Sequence, residues 1–134
     1  MKNVFSHLRV SSEYSITQGL LTINQIVESA VKHSIPSVAL TDRSNMFGLV
    51  KFFNKCEASG IKPISGSSIR VIFDDDEQSH ELLCLAKTNT GHKNLMRIIS
   101  SAHNNYSYQS PIINFKDLTK LKDDIIVISG GKDS

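Results

Sequence analysis

The sequence predicts an α/β fold in which mostly parallel strands alternate with helices and one β-hairpin is inserted. Three observations predict this class. Short apolar runs at 37–41 and 125–128 are typical of buried parallel strands. The segments between the strand patterns repeat their apolar residues every three or four positions, which is the spacing of amphipathic helices. An acidic stretch at 74–78 separates two further strand patterns and indicates the tip of a hairpin.

The first predicted element is a strand that begins at His7 and runs into a polar turn, which ends at residue 15. Leu8 and Val10 alternate with polar residues, so we expect this strand to have one buried face and one polar face. In α/β barrels and doubly wound sheets, active sites lie at the C-terminal ends of the strands. Functional residues are therefore expected at the polar end of this strand.

Helix signals are the clearest local features. Thr22 and Gln25 have the spacing of a capping box, and the helix that they begin should end near His33. His33 is expected to have a structural role, because an imidazole in the last turn complements the negative helix end. The later helices are predicted at about 45–59 with Gly60 as the stop, from Thr90 onward, and at 114–121 with Asn114 as the cap.

The predicted strands after the first lie, in chain order, at 37–41, at 61–64, at 69–73 after a break at Gly66, at 82–86 and at 124–129. The last of them is expected to be buried and parallel, with a turn at Gly130 and Gly131. A strand of this kind normally continues into a further helix. We therefore expect residues 1–134 to be part of a larger fold.

Composition limits the classes of function. The 134 residues, 40% of them hydrophobic, suit one globular domain or part of one. A net charge of +2 is too small to indicate nucleic-acid binding by this segment. Cys56 and Cys84 each lie in an apolar periodic segment, which favours buried thiols over a disulfide or a zinc site. No apolar run approaches the ~20 residues of a membrane span, so we expect a soluble, cytoplasmic protein without a membrane partner.

Some polar residues have two possible roles. Asp42 follows a buried strand, where it could be a catalytic carboxylate or a turn and cap residue. Tyr106 and Tyr108 could stack on a base or pack on the protein surface. The acidic stretch at 74–78 lacks the ligand spacing of a calcium loop, so we expect a solvated hairpin tip there.

Several stretches of the chain resemble a known family. They are, in chain order, HLRVSSEYS at 7–15, LTDRSNMFGLVKF at 40–52, GIKPISG at 60–66, LAK at 85–87, GHKNL at 91–95 and ISGG at 128–131. They resemble the opening motifs of the N-terminal polymerase-and-histidinol-phosphatase (PHP) domain of bacterial DNA polymerase III alpha subunits. The resemblance covers essentially the whole chain. It implies the N-terminal portion of a PHP-type distorted (β/α)7 barrel, truncated before the barrel is complete.

The resemblance also identifies the positions at which active PHP domains hold metal ions. They fall here on His7, Arg9, Ser11, Asp42, Arg43 and Ser68. Four of these residues replace expected ligands: Arg9 and Ser11 a His-x-His pair, Arg43 a histidine, and Ser68 a glutamate. His7 stands where the wider superfamily often has an acid, and Asp42 is retained. Because arginine has no lone pair to donate, the resemblance implies a vestigial site without metal or catalytic residues. We expect Arg9 or Arg43 to form an ion pair with Asp42 instead.

The implied function is that of the N-terminal PHP segment of a DNA-directed DNA polymerase in chromosomal replication. The segment itself is expected to be a metal-free structural and docking domain, with magnesium acting in other regions of the parent polymerase. Implied partners are the remainder of the alpha subunit, the proofreading exonuclease subunit, and DNA contacted through other domains. One alternative is a metal-dependent PHP phosphoesterase that proofreads or hydrolyses pyrophosphate. A stand-alone or truncated reading frame without function is a third possibility.

Overall fold

The computed structural model describes residues 4–16, 18–105 and 110–129. In these ranges the elements are α1 (Ile23–Lys32), β1 (Ser37–Leu40), α2 (Leu49–Ala58), β2 (Lys62–Ile72), β3 (Ser79–Ala86), α3 (Asn89–Asn104), β4 (Ile113–Asn114), α4 (Phe115–Lys120) and β5 (Ile125–Ser129). The predicted α/β class is confirmed. Tyr106, Tyr108, Gly130 and Gly131 lie outside the described residues. None of the helices described is long and apolar enough to cross a membrane.

The sheet is built around β2. Four strands lie in the order β1-β2-β3-β5, and the two-residue strand β4 also pairs with β2. β1 runs parallel to the beginning of β2, and β4 runs parallel to its end. β3 pairs antiparallel with β2, which confirms the inserted hairpin. Most strands of the described sheet are therefore held in place by hydrogen bonds to one 11-residue strand.

The helices cover one face of the sheet with two apolar clusters. One cluster joins α1 and α2 to β1 through Ile23, Val27, Leu40 and Phe52. The other joins α3 and α4 to β2 through Ile69, Val71, Leu95, Ile98 and Leu118. Because side chains alternate along a strand, Ala39 lies on the opposite face of β1, in a small cluster with Leu83 and Leu85.

Local helix signals are confirmed. The Thr22 hydroxyl accepts a hydrogen bond from the Gln25 amide at 3.3 Å, and the Gln25 side chain accepts one from the Thr22 amide at 2.9 Å. His33 caps the C-terminal end, and its ring Nδ1 lies 2.8 Å from the Ser29 carbonyl oxygen. Asn114 caps α4 by accepting a hydrogen bond from the Lys116 amide.

The predicted first strand pairs only briefly with β1. Ala39 N–H donates to the His7 carbonyl at 2.9 Å, and Thr41 N–H donates to the Val10 carbonyl at 2.8 Å. Val10 packs against the first apolar cluster, as expected. Leu8, however, is 40% exposed, so the expectation that it is buried is wrong. Its side chain lines an open groove of the sheet, and the described elements do not cover this groove.

Gly66 does not interrupt the second predicted strand, because β2 continues through it. A Cβ atom at this position would lie 2.7 Å from Leu85 Cδ2, 2.9 Å from the Cys84 carbonyl oxygen and 2.9 Å from Thr41 Cγ2. These separations are shorter than carbon contacts in packed interiors. The glycine therefore allows neighbouring backbone and side chains to approach β2 closely, and the prediction of a break is wrong.

The last strand also differs from its prediction. β5 pairs antiparallel with β3, from Leu82 opposite Ser129 to Ala86 opposite Ile125. Three of its apolar side chains, at 126–128, are exposed. The buried, parallel strand predicted here is therefore wrong in both respects. Apolar composition indicates a strand, but neither its direction nor its position in the sheet follows from composition.

The acidic hairpin tip is confirmed, and it is anchored to α4. Asp74 forms an ion pair with Lys116 and accepts a hydrogen bond from Asn114 at 2.9 Å. These contacts lower the pKa of the Asp74 carboxyl. The rings of Phe73 and Phe115 pack nearby, with centroids 4.6 Å apart. The tip is thus held by partners from a later part of the chain.

Cys56 and Cys84 are free and buried, which confirms the prediction for both thiols. Burial raises the pKa of Cys56 to about 11 and that of Cys84 to about 12. A raised pKa means less thiolate at a given pH, and thiolate is the reactive form. We therefore expect iodoacetamide near pH 8 to leave both residues unmodified in the native protein and to alkylate both in urea, as measured by mass spectrometry. Equal labelling rates in the two conditions would contradict the burial.

Candidate functional site

Asp42 lies two residues after the end of β1, at the end of the sheet where α/β folds place their functional groups. Its side chain is buried, with 1% of the residue exposed. One carboxylate oxygen accepts hydrogen bonds from the Ser12 amide at 2.7 Å and the Ser15 hydroxyl at 2.6 Å. The other accepts the Ser12 hydroxyl at 2.7 Å. The carboxylate therefore binds the polar turn that precedes α1.

The loop after β1 is also fixed to β2 and α3. The Asp42 carbonyl accepts hydrogen bonds from the Ser67 hydroxyl at 2.7 Å and the Ser68 amide at 3.1 Å. Ser44 N–H donates to the Ser68 carbonyl at 2.8 Å. Ser44 has a φ of 50°, and its carbonyl accepts a hydrogen bond of 2.8 Å from His103 Nε2 on α3. This loop is thus connected to three other parts of the fold.

Arg9 and Arg43 both approach Glu81 on β3. Arg9 Nη2 lies 2.7 Å from Glu81 Oε1, and Arg43 Nε lies 3.9 Å from Glu81 Oε2. Within the described part of the chain neither guanidinium pairs with Asp42, so the expected ion pair with that residue is wrong. The reason is that serine hydroxyls and a backbone amide already satisfy the buried carboxylate. They do so without the cost of burying a guanidinium.

His7 does not approach Asp42. Its backbone pairs with Val38, in the middle of β1, which places it about 13 Å back along the strand from Asp42 at 3.3 Å per residue. The His7 ring is exposed and contacts Phe5 edge-on, with centroids 4.8 Å apart. Ser11 is partly buried in the turn before α1, and Ser68 is buried on β2 beside Arg43. The six predicted positions thus do not converge on one point.

The donors present at this site do not fit a PHP metal cluster. Metal sites need several imidazole, carboxylate or thiolate donors that converge. Across residues 4–16, 18–105 and 110–129, no group of three or more His, Cys, Asp or Glu side chains could hold a metal ion. Both oxygens of the Asp42 carboxylate accept hydrogen bonds from the serine turn. The nearby guanidinium groups have no lone pair to offer.

Sequence reasoning missed Glu81, Ser12 and Ser15 as site residues. The predicted hairpin tip ended at residue 78 and the predicted returning strand began at residue 82, so Glu81 was assigned to neither, whereas β3 begins at Ser79. Glu81 alternates with Leu83 and Leu85, so a period-2 analysis extended by three residues would have placed it on their face of the sheet. For Ser12 and Ser15, no sequence signal distinguishes them from the other serines of the chain.

The sheet, its covering helices and the polar contacts after β1 define an α/β protein with a mixed sheet. Residues 7–134 match the PHP domain, and the chain belongs to this family. It is 41% identical over 131 residues to DNA polymerase III subunit alpha of Escherichia coli K12, covering 96% of this chain and 11% of that protein. The corresponding subunit of Borreliella burgdorferi is 36% identical over 134 residues, covering 93% and 12%. The chain thus spans about a tenth of the length of these curated relatives.

Two solved structures share the fold. One is from Bifidobacterium adolescentis and is provisionally named a metal-dependent phosphoesterase; it matches with a TM-score of 0.59 at 17% identity, over 76% of this chain and 34% of that chain. The other is an amidohydrolase from Chromobacterium violaceum, which matches with a TM-score of 0.58 at 19% identity, over 74% and 33%. At these identities the likeness concerns the fold alone. It agrees with the predicted partial barrel.

The Asp42 contacts lead to a stability prediction. We expect Asp42→Ala to lower the free energy of unfolding by about 3 kcal/mol, because the substitution leaves a buried amide and two buried hydroxyls without an acceptor. Asp42→Asn keeps an acceptor oxygen and should lose less than half as much. Asp75→Ala, which removes a carboxylate at the exposed hairpin tip, is the control and should change stability by less than about 0.5 kcal/mol. Urea unfolding measures all three, and equal effects of Asp42→Ala and Asp75→Ala would contradict the assignment.

Proposed function

We propose that the chain is the N-terminal PHP segment of a bacterial DNA polymerase III alpha subunit. The parent polypeptide would be a cytoplasmic DNA-directed DNA polymerase that uses magnesium in regions outside this chain. Membership of the PHP family over residues 7–134 supports this proposal. So does the 41% identity to the Escherichia coli subunit.

Within that polymerase, the segment would be a metal-free structural and docking domain. The observation that carries this part is the pairing of Arg9 and Arg43 with Glu81, beside an Asp42 carboxylate that serines satisfy. Together these contacts join the segment before α1, the loop after β1 and the hairpin strand β3. A metal cluster joins separate segments by coordination. Here guanidinium and hydroxyl groups would serve the same structural purpose without coordination chemistry.

The positive charges of Arg9 and Arg43 disfavour the alternative function, a metal-dependent phosphoesterase. Such an enzyme needs cations to activate water and to polarise the phosphate. A cation 4 Å from the Arg9 or Arg43 guanidinium would be repelled by about 4 kcal/mol per unit charge at an effective dielectric constant of 20. Glu81 lies near both arginines and is already engaged by them. These residues do not supply the ligand set that the reaction requires.

The docking role is supported by apolar surface. Ile16, Leu20, Phe47 and Val50 are each at least 74% exposed, and apolar side chains that are open to solvent are available for contact with a partner surface. We propose that the remainder of the alpha subunit and the proofreading exonuclease subunit cover such surfaces. DNA would be contacted through other domains, since this segment has a net charge of only +2.

A metal titration tests the metal-free assignment. We expect the full-length polypeptide and its Asp42→Asn variant to bind zinc and manganese with the same stoichiometry, as measured by calorimetry and elemental analysis. The comparison is needed because other regions of a polymerase bind metal. An equivalent of metal that is bound by the native protein and lost in Asp42→Asn would favour the phosphoesterase and overturn this proposal.

Removal of residues 1–134 tests docking. We expect the exonuclease subunit to elute with the full-length polypeptide in size-exclusion chromatography and to separate from the shortened one, because its docking surface is gone. Primer extension at saturating primed DNA checks that the shortened polypeptide still has a working polymerase core. Elution of the exonuclease with a shortened, active polymerase would show that docking occurs elsewhere.

A further inference from the structure

A serine and a histidine are in hydrogen-bond contact in the groove that Leu8 lines. Ser65 Oγ lies 3.0 Å from His92 Nδ1. Ser65 belongs to β2 and is 6% exposed, and His92 lies in the first turn of α3 and is partly buried. A hydroxyl and an imidazole at this separation have the geometry of a nucleophile and its general base. We call Ser65 and His92 the serine–histidine pair.

The serine–histidine pair is separate from the Asp42 site. Ser65 is the register partner of Leu40, which packs in the apolar cluster under α1 and α2. Asp42 is instead contacted by Ser67 and Ser68, further along β2. The hydrogen bonds and ion pairs assigned to the structural role therefore leave this pair unused.

The pair borders a cavity that is large enough for a small substrate. The cavity has a volume of about 770 Å³, and small-molecule sites have about 300–1,000 Å³. Leu49, Val50 and Phe53 of α2 give it an apolar wall, and the exposed amides of Asn54 and Asn89 also line it. An apolar wall can hold an acyl chain. Side-chain amides can donate to a carbonyl oxygen that becomes negative during acyl transfer.

The pair lacks the third member of a catalytic triad. Within the described part of the chain, the His92 ring forms no hydrogen bond or ion pair with a carboxylate. Its backbone is fixed by α3, because His92 N–H donates to the Thr88 carbonyl at 2.9 Å. Loss of the effective carboxylate from a serine protease triad lowers kcat by about 10⁴. We therefore expect a slow reaction at this pair.

We propose that the serine–histidine pair hydrolyses carboxylic esters that carry an apolar acyl group. Ser65 Oγ bonds to the acyl carbon while its proton passes to His92 Nδ1. The ester C–O bond then breaks, and the alcohol leaves with that proton. Water attacks the acyl-serine and gives one proton to His92, which returns it to Ser65 Oγ as the carboxylic acid leaves. The reaction needs no oxidant, reductant or metal, and it does not depend on the docking function.

Labelling of the full-length polypeptide with a biotinylated fluorophosphonate tests the nucleophile, because a reactive serine displaces fluoride and keeps the phosphonyl group. We expect mass spectrometry to find the adduct on Ser65 and to find none at this position in Ser65→Ala. His92→Gln should slow labelling of Ser65 at least about a hundredfold, since it removes the general base. Ser100→Ala is the matched control, because it removes an exposed α3 hydroxyl that does not line the cavity.

Hydrolysis of p-nitrophenyl butyrate tests turnover in the same variants. The rate should fall to the level without protein in Ser65→Ala and stay at the native level in Ser100→Ala. Absence of the adduct from native Ser65, or equal labelling rates in the native protein and His92→Gln, would overturn the proposal. If His92→Gln loses its native circular dichroism, the Ser65→Ala rate decides, and a native rate in that variant would also overturn it.

Discussion

The buried carboxylate of Asp42 imposes the constraint on which the surrounding structure depends. A carboxylate removed from water must have its oxygens hydrogen-bonded, and the donors here come from one turn, through Ser12 and Ser15. The same residue uses its carbonyl to accept hydrogen bonds from Ser67 and Ser68 of β2. Through this one residue, the segment before α1, the end of β1 and the centre of the sheet are fixed together.

This arrangement shows how the end of the sheet is held together by hydrogen bonds and ion pairs among the described residues. Hydroxyl groups are short and neutral, so they can surround a buried carboxylate at little desolvation cost. Guanidinium groups are long and remain charged, so Arg9 and Arg43 extend to the less buried Glu81. The result is a layered site, with neutral donors inside and fixed charges outside.

The predictions that were right in detail include the helix caps, which are interactions between residues close in sequence. The capping box of Thr22 and Gln25 and the cap at Asn114 form between residues two or three positions apart, so the sequence alone places them. The failures concern neighbours from distant parts of the chain. Gly66 was predicted to break a strand, but its role depends on the approach of Leu85 and Thr41. Likewise, β5 is antiparallel and exposed because of where it joins β3, which its apolar composition does not reveal.

The sequence by itself determined the family, the helices and the kinds of atom available at the positions where the resemblance implies metal ligands, because motifs, caps and functional groups are properties of the residues themselves. It therefore established that Arg9 and Arg43 cannot donate lone pairs to a metal. Only the tertiary structure decided which carboxylate these arginines meet. Strand register places Glu81 within reach of the arginines, and the serine turn buries Asp42. Register and burial are both set by packing between segments that are far apart in the chain, so the sequence pattern alone does not reveal them.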